Sequence, residues 1–441
     1  MDPSEEVAMA QQAQQTEPAK QAWTATRWPI LAGALLVQLS LGGVYAWSTF
    51  AKALQSEQSF GLSHVAATIP FETAIGMIFL GSFLGGRIQD RRGPRVVGLA
   101  GVTIYALGII LASFAGSADY LWLLILGYGV LGGFGLGLAY IVPIALLQKW
   151  FPDKRGLITG IAVAGFGFGA VITSPVAQAM ISGSPEFART PTRVFLYFGL
   201  AYLVAGLCGA ATFRNPPPGY AVGAAVTESG KPKVTPGPDF TQAEALRTPQ
   251  WYMLTAILAI AVLGGISLVS QAAATATAVA GFSAADAATL VGVMGLFNGG
   301  GRMLWAAVSD KLGRMRTFTG ILVILGASLL VIPHAGSPVL FYVLAALIYL
   351  CYGGAFGTMP STAGDFFGLK NAGSIYGLML IAWSIGGVAG PLLSSAMIGT
   401  TPDGNYVLAF STVGIIALIG AILPFLTKRP NVPGDRPPAR R

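Results

Sequence analysis

Apolar runs of about twenty residues recur along the whole chain, separated by short polar turns, and that spacing predicts membrane-crossing helices. Twelve such runs stand out. They lie near 29–50, 65–86, 96–115, 120–148, 156–182 and 194–213 in the first half, and near 251–279, 285–308, 316–334, 338–363, 372–398 and 405–427 in the second. A longer polar stretch, Arg214 to Gln250, parts the two sets. It holds Pro216, Pro217, Pro218, Pro232, Pro236 and Pro238 with Lys231 and Lys233, which predicts an extended linker. The expected fold class is therefore all-α integral membrane, with twelve transmembrane helices in two six-helix bundles. Its divisions are a disordered tail at 1–28, a bundle at 29–213, a linker at 214–250, a bundle at 251–427 and a tail at 428–441.

Composition agrees with the pattern. Only 10% of residues are charged and 54% are hydrophobic, with a mean hydropathy of +0.67. Soluble proteins carry about 25% charged residues, so this chain lacks the charge to cover a water-facing surface. The formal net charge of +8 would raise nucleic acid as a partner in a soluble protein, but its placement removes that reading. Lys52, Arg189 and Arg193 fall on one side of the predicted bundle and Arg302 falls within a span; the other Lys and Arg residues lie in the tails and the opposite loops. Basic loops mark the cytoplasmic side. The expected topology is a multi-pass protein of the inner (plasma) membrane, with both termini cytoplasmic and the bilayer, not nucleic acid, as its surroundings. The first residues lack a basic start followed by a short apolar core, so they do not read as a signal peptide. Cys208 and Cys351 sit in apolar runs, and His64 and His334 lie far apart, so no metal or other cofactor is expected.

A loop motif occurs twice. After the second span the chain reads Gly86-Arg-Ile-Gln-Asp90-Arg91-Arg-Gly93-Pro-Arg95; after the eighth it reads Ala306-Ala-Val-Ser-Asp310-Lys311-Leu-Gly313-Arg314-Met-Arg316. Asp, a base next to it, Gly three on and a further base recur half the chain apart. Carriers are often built from two similar halves with the substrate site between them. Gly permits a tight turn, and the Asp is expected to pair with an Arg or cap the next helix. Asp90, Arg91, Gly93, Asp310, Lys311 and Gly313 are therefore candidate gating residues.

The two loops and the span count resemble the major facilitator superfamily over nearly the whole chain. Trp150-Phe-Pro-Asp-Lys-Arg-Gly156, Leu246-Arg-Thr-Pro-Gln250 and Leu296-Phe-Asn-Gly-Gly-Gly-Arg302 look like the bacterial oxalate–formate antiporters, which neighbour the proton-linked monocarboxylate transporters. The resemblance implies transport of small organic anions without ATP.

Arg302 is the one Lys or Arg placed within a span. An arginine at the bilayer centre costs at least ~2.5–3.5 kcal/mol, so such residues usually face a cavity or a partner. Its planar fork of donors matches a carboxylate. Asn298, one turn earlier on the same face, can donate to a second oxygen. The alternative is that Arg302 snorkels to the cytoplasmic loop, since Asp310 is only roughly 12 Å further along the helix. The resemblance implies the binding role, because carriers of this type use an arginine in this segment for the substrate carboxylate. It also implies that Tyr45, Tyr140, Tyr352 and Phe356 line the chamber, with Phe166 where some members have Tyr. Aromatic walls exclude water around an anion, and Tyr can donate to it; packing is the competing role, and the better one for Trp47. Trp383 stands where dicarboxylate members carry a lysine, so a single cation is left for the substrate. The expected cargo is a monocarboxylate such as lactate, pyruvate, acetate, glycolate or formate, and not oxalate.

Glu72 is the candidate proton carrier, since an acid in an apolar span is costly unless it has a task; a Glu reaching the outer water layer is the bland reading. His64 sits at a helix start. The glycine-rich stretches of spans five and eleven read as interfaces or as tight packing. The expected function is a proton-coupled monocarboxylate symporter working by alternating access. Carboxylate exchange is the runner-up, and a non-transporting sensor is a third reading. An enzyme is not expected, because no nucleophile–base pair or metal cluster lies within the spans.

Overall fold

The computed structural model describes residues 27–217, 220, 239–399 and 405–430. The tail before Arg27, most of the linker and the tail after 430 lie outside the described residues, and with them the disorder expected of the first tail. The helices are α1 Arg27–Gln55, α2 His64–Arg92, α3 Pro94–Ala112, α4 Ala118–Trp150, α5 Arg155–Gly183 and α6 Pro191–Ala211 in the first bundle. The second bundle holds α7 Pro249–Ala280, α8 Ala284–Leu312, α9 Arg314–His334, α10 Pro338–Phe367, α11 Ala372–Ile398 and α12 Tyr406–Leu426. Eleven of these are long and apolar enough to cross a membrane. The other, α8, has 29 residues, roughly 43 Å at helical rise, which exceeds a bilayer core. Its lower hydropathy comes from the residues that make it interesting, Asn298 and Arg302 among them. Outward-facing rows such as Leu80, Leu84 and Ile88, or Leu196, Leu200 and Val204, are exposed and apolar, as a lipid-facing surface requires.

Two predicted turns are shorter than the sequence pattern indicated. Both α2 and α8 run on past their apolar stretches, so Asp90 and Asp310 sit in the last helical turn. Each helix stops at a glycine with φ of 88°, Gly93 and Gly313. That left-handed backbone is costly for any residue with a Cβ. A charged final turn ends outside the hydrocarbon, so hydropathy underestimates helix length there.

The bundles meet at the end that carries these two loops, called here the basic end. Along α2 and α11, Gly86 lies against Gly373, Ser82 against Gly377, and Ser384 donates to the Ile75 carbonyl at 3.3 Å. Along α5 and α8, Gly156 faces Asp310, Gly160 faces Ala306 and Gly167 faces Gly299. One and two turns further on the same face of α8, Gly295 and Gly292 meet nothing within 4 Å. The interface is thus closed at the basic end and parted at the other. In α11, by contrast, Gly386 and Gly390 pack on α7 within their own bundle, which is the tight-packing reading.

Neither loop aspartate caps the next helix in the chain, one of the two roles expected; Asp310 fills the other by pairing with an Arg. Asp90 Oδ2 accepts from the Ser374 N–H, at 2.8 Å, in the first turn of α11. Asp310 Oδ2 accepts from the Leu157 N–H, at 3.0 Å, in the first turn of α5. Each carboxylate caps a helix of the opposite bundle, where free N–H groups and the positive helix end favour an anion. Arg91 and Lys311 are exposed and form no ion pair among the described residues. The base that engages is Arg314, 2.7 Å from Asp310 and 2.8 Å from Asp365. Asp365 also lies 3.1 Å from Arg155 of the first bundle. The linker is not wholly extended: Gln242–Leu246 forms a short helix with a capping box between Thr241 and Glu244.

Candidate functional site

Arg302 lies at the middle of α8 and is fully buried. It does not snorkel. Its Nε donates to Asn298 Oδ1 at 3.1 Å, and Nη1 donates to the Val163 carbonyl of α5 at 3.3 Å. Nη2 is buried without a hydrogen-bond partner, and no carboxylate pairs with the guanidinium among the described residues. Asn298 therefore does something the sequence did not indicate. Its oxygen holds the guanidinium in place, so its contribution is first to aim Arg302.

Aromatic rings from both bundles surround this charge. The guanidinium carbon lies 5.6 Å from the Phe166 ring centroid and 5.2 Å from that of Phe356, within cation–π range. Trp383 is the hub of the cage. Its ring lies 6.4 Å from Tyr45, 5.7 Å from Tyr140, 5.8 Å from Phe166 and 4.8 Å from Phe356, while Tyr352 lies 5.5 Å from Phe356. Tyr45, Tyr140 and Phe166 come from α1, α4 and α5; Tyr352, Phe356 and Trp383 come from α10 and α11. The chamber therefore belongs to neither bundle alone. Helix α11 is interrupted at Leu380, three residues before Trp383, and broken helices are how carriers shape midplane sites.

The polar tips of the cage are unspent. The Tyr45 and Tyr140 hydroxyls face the Arg302 guanidinium, and they, Trp383 Nε1 and Arg302 Nη2 are buried without a well-formed hydrogen bond. Leaving a buried donor unpaired costs about 1–3 kcal/mol each. Three such groups around one positive charge make a pocket complementary to a small anion with several acceptor lone pairs.

Of the residues singled out from sequence, Arg302, Asn298, Tyr45, Tyr140, Tyr352, Phe356 and Trp383 come together here. Glu72 does not. It is exposed on α2, one turn beyond Ile75 toward the parted end, with no contact to the Arg302 cluster among the described residues. Trp47 is a packing residue, buried with its ring 4.4 Å from Tyr128 and its Nε1 donating to Ala67 O at 2.9 Å. Sequence reasoning passed over the Val163 carbonyl and Asp365. Asp365 is an acid in an apolar run, the same signal that drew attention to Arg302.

Comparison with known proteins bears on the arrangement. A family model described as Major Facilitator Superfamily matches residues 27–391. The Oxalate:formate antiporter of Oxalobacter formigenes is 29% identical over 84% of this chain and 85% of its own. Human Monocarboxylate transporter 11 is 25% identical over 77% of this chain and 70% of its own. The crystal structure of FucP, a Major Facilitator Superfamily transporter in the outward conformation, superposes with a TM-score of 0.66 at 17% identity, covering 90% of this chain and 99% of that one. At that identity the likeness speaks for the fold alone.

Proposed function

This chain belongs to the Major Facilitator Superfamily, and from that premise we propose that it is a secondary transporter of a small monocarboxylate, with Arg302 as the seat of the anion. Its family makes it a multi-pass membrane transporter; the cargo and the coupling are our reading. One observation carries it. A fully buried guanidinium keeps a free donor and has no carboxylate partner among the described residues, while the unpaired tips beside it, the Tyr45 and Tyr140 hydroxyls and Trp383 Nε1, can donate too. An anion from outside completes the site. The relatives named for oxalate, formate and monocarboxylates support an organic acid.

The charge count sets the valence. Arg302 neutralises one carboxylate. A second carboxylate would meet Trp383 Nε1, which donates but carries no charge, and a buried uncompensated charge is expensive. The cargo is of the lactate, pyruvate, acetate, glycolate or formate type. Uptake of labelled lactate, acetate and oxalate into proteoliposomes, with and without a pH gradient, tests the reading: uptake of the first two and exclusion of oxalate supports it, and oxalate as the best substrate sinks it. Trp383→Lys supplies the second charge and is expected to raise oxalate uptake at least tenfold relative to lactate. Unchanged selectivity counts against the charge argument.

With the basic end cytoplasmic, as the distribution of Lys and Arg supports, the described arrangement is outward-facing. Glu72 then stands on the open side and is our candidate for the coupling proton. Glu72→Gln is expected to abolish pH-driven uptake and preserve exchange of internal for external substrate. Retained pH-driven uptake shifts the proton to another carrier, or to the substrate itself. Exchange of one carboxylate for another is the second reading, supported by the antiporter likeness; it predicts that efflux requires external anion at every pH.

A further inference from the structure

One of the two capped helix starts at the basic end, that of α11, is also held by the segment that joins the bundles. Ser374 gives its N–H to Asp90 across the interface, and its carbonyl accepts from Gln242 Nε2 at 2.6 Å. The loop leading to it is held from the same side. Asp239 Oδ1 accepts from the consecutive N–H groups of Leu369 and Lys370, at 3.1 Å each. Asn371 Nδ2 donates to Phe240 O at 2.7 Å, and Phe240 N donates to Phe367 O at 2.9 Å. The Phe240 ring is buried, 5.5 Å from that of Phe367. The segment is itself pinned by the Thr241–Glu244 capping box, whose N–H donation holds the Glu244 carboxyl below the usual carboxylate range.

The other end of the joining segment holds the last residue of α4. Trp150 Nε1 donates to Arg214 O at 2.7 Å, Tyr220 donates from its hydroxyl to Trp150 O at 3.1 Å, and the two rings lie 4.9 Å apart. Trp150 ends α4 just before Arg155 opens α5, whose first turn meets Asp310.

The loop between α10 and α11 starts at Gly368, with φ of 84°, and its own bonds, Ala372 N–H to Leu369 O and Ser374 Oγ to Asn371 O, are local. The two adjacent N–H groups on the Asp239 carboxylate form a charge-assisted clamp that ties this loop to the linker. We infer that residues 239–246 are a strap that sets the start of α11 to receive Asp90, so that the linker biases the transporter toward the state closed at the basic end. Asp239 is a positioning residue acting through Ser374. The inference is independent of the substrate.

Spin labels at Arg95→Cys and Arg316→Cys, exposed basic-end positions in opposite bundles, report the separation in the full chain carrying Cys208→Ser and Cys351→Ser. Short distances dominate the parent. Asp239→Ala is expected to raise the ratio of long to short distances about tenfold, the loss of a charged acceptor. Asp239→Asn, which keeps a carbonyl acceptor, returns most of the short population, and Gln242→Ala shifts it the same way as Asp239→Ala. With Asp90→Ala already present, Asp239→Ala adds nothing, because the cap it serves is gone. An unchanged distribution in Asp239→Ala, or the same shift with and without Asp90, overturns the inference. So does a parent-like distribution in Gln242→Ala should Asp239→Ala fail to fold.

Discussion

Arg302→Ala is expected to lower monocarboxylate uptake at least about a hundredfold while leaving the protein as stable as the parent, or more so. The two halves of that result decide between roles. A hundredfold loss is about 2.7 kcal/mol, within the range found when one partner of a buried charge pair is removed. A structural arginine would also destabilise the fold when deleted, because its partner would be stranded. Here the partners are neutral: Asn298 Oδ1 and the Val163 carbonyl. The apo protein carries the desolvation of an unpaired guanidinium, and alanine removes that cost. Sites built for a ligand commonly trade stability in this way. Arg302→Lys is expected to recover little, since a point charge cannot hold the Asn298 contact and present a planar fork together. Uptake in proteoliposomes beside a melting curve in detergent checks both halves; near-parent uptake by Arg302→Ala ends the proposal.

The span count and the two-bundle architecture were legible in the sequence because a bilayer imposes one length on every helix. Arg302 was legible because a charge in an apolar run is costly enough to need a reason. The identity of opposing partners was not. Helical spacing puts Asp90 on a face, but says nothing about which helix lies across from it. Only the packed structure pairs it with Ser374, far along the chain, in place of the neighbouring helix. The same limit applies to Arg91 and Lys311, which form no ion pair among the described residues: adjacency to an aspartate in sequence is not adjacency in space, since neighbouring residues on a helix point about 100° apart. Asn298 was placed correctly beside Arg302, yet its role turned on which of its atoms faces the guanidinium. Asp365 broke the same rule as Arg302. It lies close to a helix end, where a charge is easily read as reaching water, and its burial follows from Arg155 and Arg314 closing over it.

That buried acid carries the other large effect. Asp365 sits between Arg155 of the first bundle and Arg314 of the second, and Arg155 and Asp365 are each only 4% exposed. Replacing such a pair whole with apolar groups is often neutral, but removing one partner typically costs about 3–5 kcal/mol, because the other charge stays buried and unpaired. Asp365→Ala leaves two arginines facing each other in the closed basic end. The cheapest relief is for the bundles to part there and let water reach Arg155, so the loss falls on the closed state more than on the fold. A shift of that size is a factor of a hundred or more, at about 1.4 kcal/mol per tenfold. Ser361, buried on α10 with its hydroxyl unpartnered, stands one helical turn before Asp365, in the half of that helix toward the basic end. Ser361→Cys, in a Cys208→Ser, Cys351→Ser chain, is expected to resist a water-soluble thiol reagent in the parent and to react rapidly once Asp365→Ala is added. Adding Arg155→Ala to Asp365→Ala removes the stranded charge and should restore much of the protection. If Ser361→Cys stays equally unreactive in all three, the ion-pair network does not hold the basic end shut, and closure rests on the two carboxylate caps.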